Sequence, residues 1–444
     1  MEWRSKDVNT LKNDNKLYDL VGIGIGPFNL GMAALADQTE IDAIYFDQKE
    51  EFSWHPGMLI DGADLQVPFL ADLVTIADPK SPYTFINYLH EHNRLYQFYF
   101  FNKLDIPRKE YNAYTRWVAS SLSNCHFGKK VIDVIYHEEG KYYEVSIEDV
   151  KSLETQVIKS KHVVLGTGSV PNIPDGFEGY SNEDVLHTNH YLYREKDLKK
   201  SDSVTVVGSG QSAAEVFYDF LHDQERYGYS LRWLTRSSGF FQLEQAKLGQ
   251  EVFSPDYVSY FHGLPFEERT NALETLGTLR KGVDPSTLKN IYHLLYHRST
   301  EEQPDVTIQP LTEVNGIEKK GKSYVLNCRQ WQEDHSFTVE TDKVVLATGY
   351  KPHFPDWFNR ITDEIEWEDE KRFKVEMDQQ LVFKDRRDNH VFTLTNLDHS
   401  HGTGATNLAL SVERNKRVLN RVAGKELYSI NTNTVFQQFS SKGM

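Results

Sequence analysis

The stretch LVGIGIGPFNL, residues 20–30, decides the fold of this chain. It predicts an apolar strand that turns tightly on small residues and leads into a helix. Gly24 and Gly26 align with the first two glycines of a dinucleotide-binding fingerprint, and Asn29 takes the place of the third. A glycine lets the backbone approach a pyrophosphate where a side chain would clash. The turn, including Pro27, is therefore a predicted cofactor contact, and an ordinary strand-to-helix loop is the alternative.

A second apolar strand, residues 43–46, ends at Asp47. This acid follows the glycine turn by about 20 residues, the separation at which a fingerprint acid hydrogen-bonds an adenosine ribose. A carboxylate suits a ribose without a 2′-phosphate, as in FAD or NAD. The alternative is a solvated carboxylate at the end of a strand.

The same pattern returns as VVGSGQSAAE at residues 206–215. The strand that follows, residues 231–234, ends in Thr-Arg-Ser-Ser rather than in an acid. A guanidinium and hydroxyls would hold a 2′-phosphate that a carboxylate would repel, so this copy favours NADPH. An ordinary surface arginine is the alternative for Arg236. The predicted contacts of the second copy are Gly208, Gly210, Gln211, Ser212 and Arg236.

A chain with an FAD site and an NADPH site delivers hydride to a flavin, and the electrons then need an acceptor. Reduction of a disulfide needs a dithiol beside the flavin. Cys125 and Cys328 lie far apart in sequence and form no C-x-x-C motif. Molecular oxygen is the remaining common acceptor.

Length and composition narrow the class of protein. With 444 residues the chain is expected to form two or three modules, and 39% hydrophobic with 26% charged residues describes a globular enzyme. The net charge of -16 argues against a nucleic-acid partner. The polar start of the chain has no signal-peptide pattern and no later run suggests a membrane span, so we expect a cytoplasmic protein. No metal site is expected.

The order of these patterns predicts an α/β protein with two Rossmann-like dinucleotide-binding domains. Residues 161–174 and 342–350 both read as a strand that ends in a small residue, threonine and glycine. The second fold therefore looks inserted in the first. The predicted divisions are a flexible extension (1–17), the first part of the FAD domain (18–195), the NADPH domain (196–340) with a helical substrate segment (241–297), and a return to the FAD domain with a covering segment (341–444).

Several longer motifs make the chain resemble the N-hydroxylating flavin monooxygenases, a family that includes the lysine, ornithine and diamine N-hydroxylases of siderophore biosynthesis. The similarity spans nearly the whole chain after Leu17. The motifs are GIGPFNL (24–30), FSWHPGM (52–58), LQVPFLADLVT (65–75), PRKEYNAYTRW (107–117), GSGQSAAE (208–215) and ATGY (347–350).

The resemblance implies roles for particular residues. It places one group against the flavin ring: Trp54, His55, Met58 and Gln66. It adds to the nucleotide contacts Ser212, Arg236, Ala347, Thr348 and Gly349. It places a closing stretch over flavin and substrate, with His401, Leu408 and Ser411. Core packing is the alternative for Trp54 and Met58. His55 is a weak candidate for an acid or base, and a structural role is its alternative. The family also implies a homotetramer.

Substrate choice turns on a departure from the family pattern. Amino-acid hydroxylases of the family carry a lysine for the substrate α-carboxylate where this chain has Ala71, and an asparagine where it has Gln250. A buried carboxylate without its cation costs about 3–5 kcal/mol. We therefore expect a diamine, putrescine or cadaverine, with histamine and then lysine as competitors. Asp72 or Glu251 is a candidate for the distal ammonium, and a structural carboxylate is the alternative for each. The rival functions are a flavin monooxygenase that oxidises carbon or sulfur and a non-catalytic nucleotide-binding sensor.

Overall fold

The computed structural model describes residues 16–180, 183–280 and 282–441. The predicted N-terminal extension lies outside the described residues up to position 15. Its last residue, Leu17, already belongs to the first strand.

The strands follow one another along the whole chain. They are β1 (Leu17–Ile23), β2 (Ala43–Asp47), β3 (Asp64–Pro68), β4 (Asp105–Pro107), β5 (Cys125–Phe127), β6 (Lys129–His137), β7 (Tyr142–Asp149), β8 (Thr155–Leu165), β9 (Ser169–Pro171), β10 (Val185–His187), β11 (Ser203–Val207), β12 (Ser230–Leu234), β13 (Val306–Gln309), β14 (Thr312–Lys320), β15 (Ser323–Gln330), β16 (His335–Thr341), β17 (Lys343–Leu346), β18 (Tyr350–Pro352) and β19 (Val391–Thr393).

The helices are concentrated between the strands and at the end of the chain. They are α1 (Pro27–Ala36), α2 (Phe85–Glu91), α3 (Leu95–Phe101), α4 (Arg108–Ser121), α5 (Tyr191–Leu198), α6 (Gln211–Tyr227), α7 (Lys247–Gln250), α8 (Pro255–His262), α9 (Phe266–Leu276), α10 (Pro285–Ser299), α11 (Asp398–His401) and α12 (Leu408–Ala423). Short 3-10 turns include Pro56–Met58, Phe69–Ala71, Glu251–Phe253 and Thr403–Thr406.

The first sheet is built around five parallel strands in the order β5-β2-β1-β8-β19. β8 is long, and its first half pairs instead with an antiparallel hairpin of β6 and β7. β1 is apolar and almost fully buried because both faces of a parallel sheet are covered. Helix α1 follows it and packs against α12 on one face.

The second sheet repeats this plan with five parallel strands in the order β13-β12-β11-β17-β10. Its antiparallel addition is the three-stranded sheet β14-β15-β16. Helix α6 follows β11 as α1 follows β1, and its buried aromatic face includes Phe217 and Phe220. The two sheets confirm the predicted fold class of two Rossmann-like halves.

One strand lies in a different sheet from the one predicted. Residues 342–350 were expected to return to the first fold, but β17 pairs with β11 and β10 in the second sheet, so this prediction is wrong. The chain returns to the first sheet later, through β19. The elements β10 and α5 begin within residues 18–195, the predicted first part of the FAD domain. Both belong instead to the second fold.

Two connections cross between the folds side by side. β9 leaves the first fold after Gly168 and β18 leaves the second after Gly349, and these two short strands pair antiparallel. The segment expected to be helical, 241–297, contains α7, α8, α9 and α10. In the part of the chain that the structure describes, no helix is both long and apolar enough to cross a membrane.

Candidate active site

The first glycine turn joins β1 to α1 and is held by backbone contacts. Gly24 has φ +85°, and a Cβ there would lie 2.5 Å from the carbonyl oxygen of Gly166. The N–H of Gly24 donates to Phe46 O at 2.8 Å. Asn29 is buried, and its Nδ2 donates to Gly24 O at 2.7 Å. Asn29 therefore fixes the turn from inside, which is its role in place of the third fingerprint glycine.

The start of α1 has the shape that a pyrophosphate needs. Gly26 is the N-cap residue, Pro27 is the first helical residue, and no described side chain caps the helix. A Cβ on Gly26 would meet nothing within 4 Å. Free N–H groups at a helix N-terminus beside open space form an anion-binding site, so these residues fit a dinucleotide phosphate.

Asp47 ends β2 next to this turn. Its Oδ2 accepts the N–H of Ile25 at 2.8 Å, and its Oδ1 accepts the N–H of Lys49 at 2.8 Å. Each carboxylate oxygen has a further lone pair, so these bonds orient the group and leave acceptors for ribose hydroxyls.

The second glycine turn joins β11 to α6 with the same geometry. Gly208 has φ +138°, and a Cβ there would collide with the carbonyl oxygen of Ala347. Gly210 caps α6 without a described side-chain cap, and a Cβ on it would meet nothing within 4 Å. Here Trp233 Nε1, rather than an asparagine, donates to Gly208 O at 2.7 Å. This turn therefore fits a second dinucleotide phosphate.

The residues after β12 differ from Asp47 in chemistry. Ser237 Oγ lies 2.8 Å from Ser209 Oγ, which ties this loop to the glycine turn. Arg236 is exposed, and none of the described side chains lies within ion-pair distance of its guanidinium. The hydroxyl of Ser212 has no hydrogen-bond partner among the described residues. Arg236 and Ser212 are thus available to a ligand at this end of the sheet.

Gln211 has a structural role rather than a free side chain. Its Nε2 donates to Glu215 at 2.7 Å, and its Oε1 accepts the N–H of Asp284 at 2.7 Å. Arg108, the first residue of α4, forms a bidentate pair with Glu215 at 2.6 and 2.7 Å. Both charges are largely buried. This contact joins the two folds. Arg108 lies in the motif at 107–117, but nothing in that motif indicated an ion pair with Glu215.

An aromatic wall stands between the two folds. His55 has a left-handed backbone with φ +45°, and its ring lies 5.0 Å from Trp54 and 5.7 Å from Tyr350. Desolvation lowers the pKa of His55 to about 4 although the residue is exposed to solvent on one side, and the positive charge of Arg108 adds to the effect. His187 completes the wall, 5.0 Å from Tyr350, with Nε2 hydrogen-bonded to Gly349 O at 2.9 Å.

Two residues predicted at the flavin ring have different environments. Gln66 is exposed on β3, and no described group hydrogen-bonds its side chain. Met58 is only 3% exposed and packs in the core of the second fold with Leu186 and Tyr191. Core packing, the alternative for Met58, describes this position. Trp54 is half-buried, edge-on to Tyr111 at 5.0 Å.

Hydrogen bonds fix residues 347–349, the connection that follows β17. The N–H of Ala347 donates to Val207 O at 2.8 Å, and Thr348 Oγ1 donates to Asn172 O at 2.5 Å. The N–H of Asn172 donates to Gly349 O at 2.9 Å. Ala347 therefore lies beside the second glycine turn, and Thr348 and Gly349 fix the connection between the folds through Asn172.

The start of α12 differs from the starts of α1 and α6. Asn407 Oδ1 accepts the N–H groups of Ala409 at 2.9 Å and Leu410 at 3.3 Å, so this helix carries its own cap. Ser411 is buried and donates to Leu408 O at 2.5 Å. Leu408 is half-buried at the first turn and remains the more accessible of the two predicted contacts.

The ring of His401 is enclosed by protein groups. Its Nδ1 lies 2.8 Å from Ser400 Oγ and its Nε2 lies 2.7 Å from Gln379 Nε2. Burial lowers the pKa of His401 well below its usual range. Because both ring nitrogens have protein partners, the side chain of His401 packs the turn before α12.

The substrate candidates of the 69–72 turn are buried. Ala71 is 4% exposed. Asp72 accepts hydrogen bonds from the N–H groups of Val74, Thr75 and Phe85 at 2.6–3.0 Å and from the Thr75 hydroxyl at 2.6 Å. Burial raises the pKa of Asp72 in spite of these donors. Its carboxylate organises the turn, which favours the alternative of a structural carboxylate at this position.

The other two candidates lie at the end of α7. Gln250 is half-buried, and its Oε1 is 3.5 Å from Lys247 Nζ. Glu251 Oε1 and Oε2 accept the N–H groups of Phe436 and Gln437 at 3.0 and 2.9 Å. Glu251 therefore contacts residues 436 and 437 near the end of the chain, and no sequence motif indicates this contact.

A buried arginine on α12 was also missed. The Arg414 guanidinium lies 4.7 Å from the centroid of Phe28, and burial lowers its pKa to about 10. Its neighbour Asn415 donates from Nδ2 to Phe28 O at 2.9 Å. α12 is thereby fixed to the first turn of α1. The signal in the sequence was a charged run, residues 413–417, on a helix that had to be buried.

Comparison with known proteins assigns the chain to a family. A family model described as L-lysine 6-monooxygenase/L-ornithine 5-monooxygenase matches residues 16–352. A putrescine N-hydroxylase from Shewanella oneidensis is 39% identical, over 96% of this chain and 85% of that protein. A putrescine N-hydroxylase from Acinetobacter baumannii is 36% identical, over 96% of this chain and 95% of that protein.

The similarity extends to a solved structure. The cadaverine monooxygenase of the desferrioxamine biosynthetic pathway from Erwinia amylovora, bound to FAD, is 36% identical, with a TM-score of 0.93. The match covers 97% of this chain and 100% of that chain. These similarities confirm the family resemblance seen in the sequence motifs: the chain belongs to the L-lysine 6-monooxygenase/L-ornithine 5-monooxygenase family and is a monooxygenase.

Proposed function

We propose that the protein is an FAD- and NADPH-dependent N-hydroxylase of a small primary diamine, putrescine or cadaverine, that uses O2 and serves siderophore biosynthesis. The observation that carries the proposal is a pair of open helix N-termini in one chain. At Gly26 and at Gly210 a glycine faces free space and no described side chain caps the helix. Only the second of these sites has an arginine, Arg236, where the first has Asp47.

FAD is assigned to the first fold. Gly24, Gly26, Pro27 and Asn29 shape the phosphate site, and Asp47 offers carboxylate oxygens to the ribose. The FAD-bound cadaverine monooxygenase with which the chain superposes supports this assignment. Trp54, His55 and Gln66 are the proposed neighbours of the flavin ring.

NADPH is assigned to the second fold. Gly208, Gly210 and Ser212 are the proposed contacts at the start of α6, and Arg236 carries the guanidinium with which a 2′-phosphate would pair. The proposed substrate wall is the helical segment 241–297, which contains the turn at Gln250, together with Leu408.

The reaction needs a dry site and a neutral amine. When bound, FAD reduced by NADPH supplies oxygen activation: NADPH gives two electrons, one oxygen atom forms the new N–O bond and the other leaves as water. An alkylammonium has a pKa of about 10. His55, with a pKa of about 4, is neutral at pH 7 and too weak a base to take that proton. The chain therefore favours the neutral amine by desolvation, and His55 acts as part of the wall.

Position 71 supports a diamine over an amino acid. Ala71 is buried and offers no cation, so an α-carboxylate placed there would lose its partner at a cost of about 3–5 kcal/mol. The two putrescine N-hydroxylases and the cadaverine enzyme among the relatives point the same way. Histamine, which also lacks a carboxylate, is the second candidate, and lysine is the third.

The test is a panel of amines with the purified protein. We expect a yellow protein that oxidises NADPH faster than NADH and forms a hydroxylamine with putrescine or cadaverine. Histamine, lysine and ornithine should give less product at equal concentration. A wide preference for lysine or ornithine would refute the argument from Ala71, and a protein that cannot take up flavin would refute the assignment as a whole.

We further propose that the protein is a cytoplasmic homotetramer. α3 supports an association of subunits because Tyr96, Tyr99 and Phe100 are 81%, 72% and 78% exposed, and such an aromatic surface favours contact with another subunit. Light scattering should give the mass of a tetramer. Replacing Tyr99 and Phe100 with serine should lower that mass, and an unchanged mass would exclude α3 from the interface.

A further inference from the structure

The end of the chain forms an extended segment that spans two parts of the molecule. Beyond α12, Asn420 Oδ1 accepts the N–H groups of Leu427 at 2.8 Å and Tyr428 at 2.9 Å. The Tyr428 hydroxyl donates to Leu35 O at 2.7 Å, at the end of α1. From this anchor on the first fold, residues 432–439 run to the helical segment. We call residues 432–439 the C-terminal strap.

Two carboxylates of the helical segment hold the strap by its backbone. Glu251 accepts the N–H groups of Phe436 and Gln437, one on each oxygen, at 3.0 and 2.9 Å. Asp256 accepts the N–H groups of Asn433 at 2.7 Å and Thr434 at 2.8 Å. Four backbone contacts of this kind within five residues specify the path of this segment independently of its side chains.

Side chains add to the attachment. Gln437 Nε2 donates to Leu248 O in α7. Phe439 packs edge-on against Tyr257 in α8, with ring centroids 4.9 Å apart, and lies 6.2 Å from Tyr260. The strap therefore connects α7, the turn at Glu251 and α8 on their outer side.

The turn that the strap holds forms part of the proposed substrate wall. Gln250 immediately precedes Glu251. Phe253, in the same 3-10 turn, packs against Gly404, where an added Cβ would lie 3.6 Å from the Phe253 ring. Gly404 belongs to the turn directly before α12, which begins at Leu408. A shift of the Glu251 turn would therefore move both Gln250 and the start of α12.

We propose that Glu251 is a positioning residue: by holding the C-terminal strap, it keeps the turn with Gln250 in place against the start of α12 and so shapes the amine pocket. This inference rests on the proposed function, because it assigns the pocket wall to this turn. It also replaces the direct role for Glu251. Both of its oxygens face the strap, and the N–H groups of Phe436 and Gln437 lower its pKa, as expected for a carboxylate that accepts hydrogen bonds.

The experiment combines a substitution with a truncation. The variants are Glu251→Gln, a chain that ends at Asn431, and the combination of both. Each single change should raise KM for the diamine several-fold, increase H2O2 released per NADPH oxidised, and leave KM for NADPH and the flavin content unchanged. The combined variant should be no worse than the truncation alone, because the strap is then already absent. Glu139→Gln, at an exposed glutamate in the turn between β6 and β7, is the matched control and should resemble the native protein.

The outcomes separate the inference from the function on which it rests. If native protein forms no hydroxylamine from any amine, the proposed function fails. If native protein is active but truncation leaves KM for the diamine unchanged, the strap has no part in the pocket and the inference fails alone. If Glu251→Gln raises KM further in the truncated chain, Glu251 contacts the amine directly, which also overturns the inference. A fall in flavin content parallel to the rise in KM would indicate a general loss of structure and count against it.

Discussion

The two nucleotide folds share one backbone plan and differ at the end of their second strand. In both sheets the strand after the first helix lies beside the glycine turn, with Gly24 N–H bonded to Phe46 O and Gly208 N–H bonded to Leu234 O. In the first fold the next residue is Asp47, bonded to the N–H of Ile25. In the second fold that neighbourhood holds Arg236 and the hydroxyls of Thr235 and Ser237.

The backbone of each turn therefore offers a dinucleotide site, and we propose that the charge after β2 or β12 selects the nucleotide. Both turns offer N–H groups and open space to a phosphate, so neither discriminates between nucleotides by shape. A carboxylate accepts from ribose hydroxyls and repels a 2′-phosphate, whereas a guanidinium attracts it. Variants at the glycine turns test the shared backbone plan, and variants at Arg236 test the choice of nucleotide.

Adding a methyl group at each glycine turn should have the largest effect. Gly24→Ala places a Cβ against Gly166 O at a φ of +85°, and Gly208→Ala places one against Ala347 O. Since neither backbone carbonyl can move freely, we expect Gly24→Ala to yield protein without flavin. Gly208→Ala should keep its flavin and lose reduction by NADPH. Absorbance of bound flavin and anaerobic reduction by NADPH measure the two properties.

Gly62→Ala is the matched control for the turn variants. Gly62 has φ +78° with nothing within 4 Å of an added Cβ, so it tests backbone strain alone, at about 1–2 kcal/mol. It should lower the melting temperature and leave both cofactors bound. Loss of flavin in Gly208→Ala but not in Gly24→Ala would reverse the assignment of the two folds.

Removing the arginine should have the next largest effect. Arg236→Ala should raise KM for NADPH about tenfold to a hundredfold, by about 1.5–3 kcal/mol for hydrogen bonds to a charged group. KM for NADH should change little because NADH has no 2′-phosphate. Steady-state kinetics with both nucleotides give the ratio, and Arg226→Ala, an exposed arginine at the end of α6, serves as control. Equal losses with NADPH and NADH would mean that Arg236 does not read the 2′-phosphate.

The glycine turns, the fold class and the charge contrast were predictable because each depends on local sequence. The sheet to which β17 belongs was not. Residues 161–168, KHVVLGTG, and 342–349, DKVVLATG, look alike because each strand holds the same position in its own sheet, beside β1 or β11. Strand pairing is a long-range choice that similarity of two segments does not decide. The similarity reflects equivalent positions in two related sheets, whereas the expectation was that the chain returns to the first sheet at residues 342–350.

Side-chain roles were also predictable only where they depend on local sequence. Asp72 and His401 were assigned to ligands, yet both satisfy their polar atoms inside the protein. Arg108 was overlooked because its partner, Glu215, is more than a hundred residues away. Residue type and spacing indicate that a group can bind a ligand. They do not show whether a distant backbone N–H or carboxylate already occupies it.

The proposed preference for a diamine is tested at Ala71. Ala71→Lys should raise KM for putrescine or cadaverine by about tenfold, since a buried ammonium near the substrate repels its second amine. Use of lysine as substrate should improve relative to the diamine, because the new cation can pair with a carboxylate. The measurement is hydroxylamine formation with each amine. Leu70→Lys, at an exposed neighbour, is the control and should leave the preference unchanged. Unchanged kinetics in Ala71→Lys would mean that position 71 does not face the substrate.

The smallest expected effect is a loss of folding stability in acid. It arises in the first fold, where β19 pairs with β8. His162 Nδ1 accepts the N–H of His390 at 2.9 Å, and His390 Nε2 accepts from Arg421 at 3.2 Å, so both rings are needed in the neutral form. Desolvation lowers the pKa of each to about 4; His390 adds to the effect at His162, and Arg421 adds to it at His390.

In the unfolded chain these histidines titrate near a pKa of about 6.5, so that state binds more protons below this pH. The free energy of unfolding should therefore fall as pH drops from about 6.5 to about 4 and level off below that. His390→Gln keeps an acceptor for Arg421 without a titrating ring, so its melting temperature should fall less steeply over this range. His335→Gln, at an exposed position on β16, should keep the native slope. Equal slopes in all three proteins would show that the return strand does not set the acid limit, and that the two folds differ in nucleotide choice but not in their response to acid.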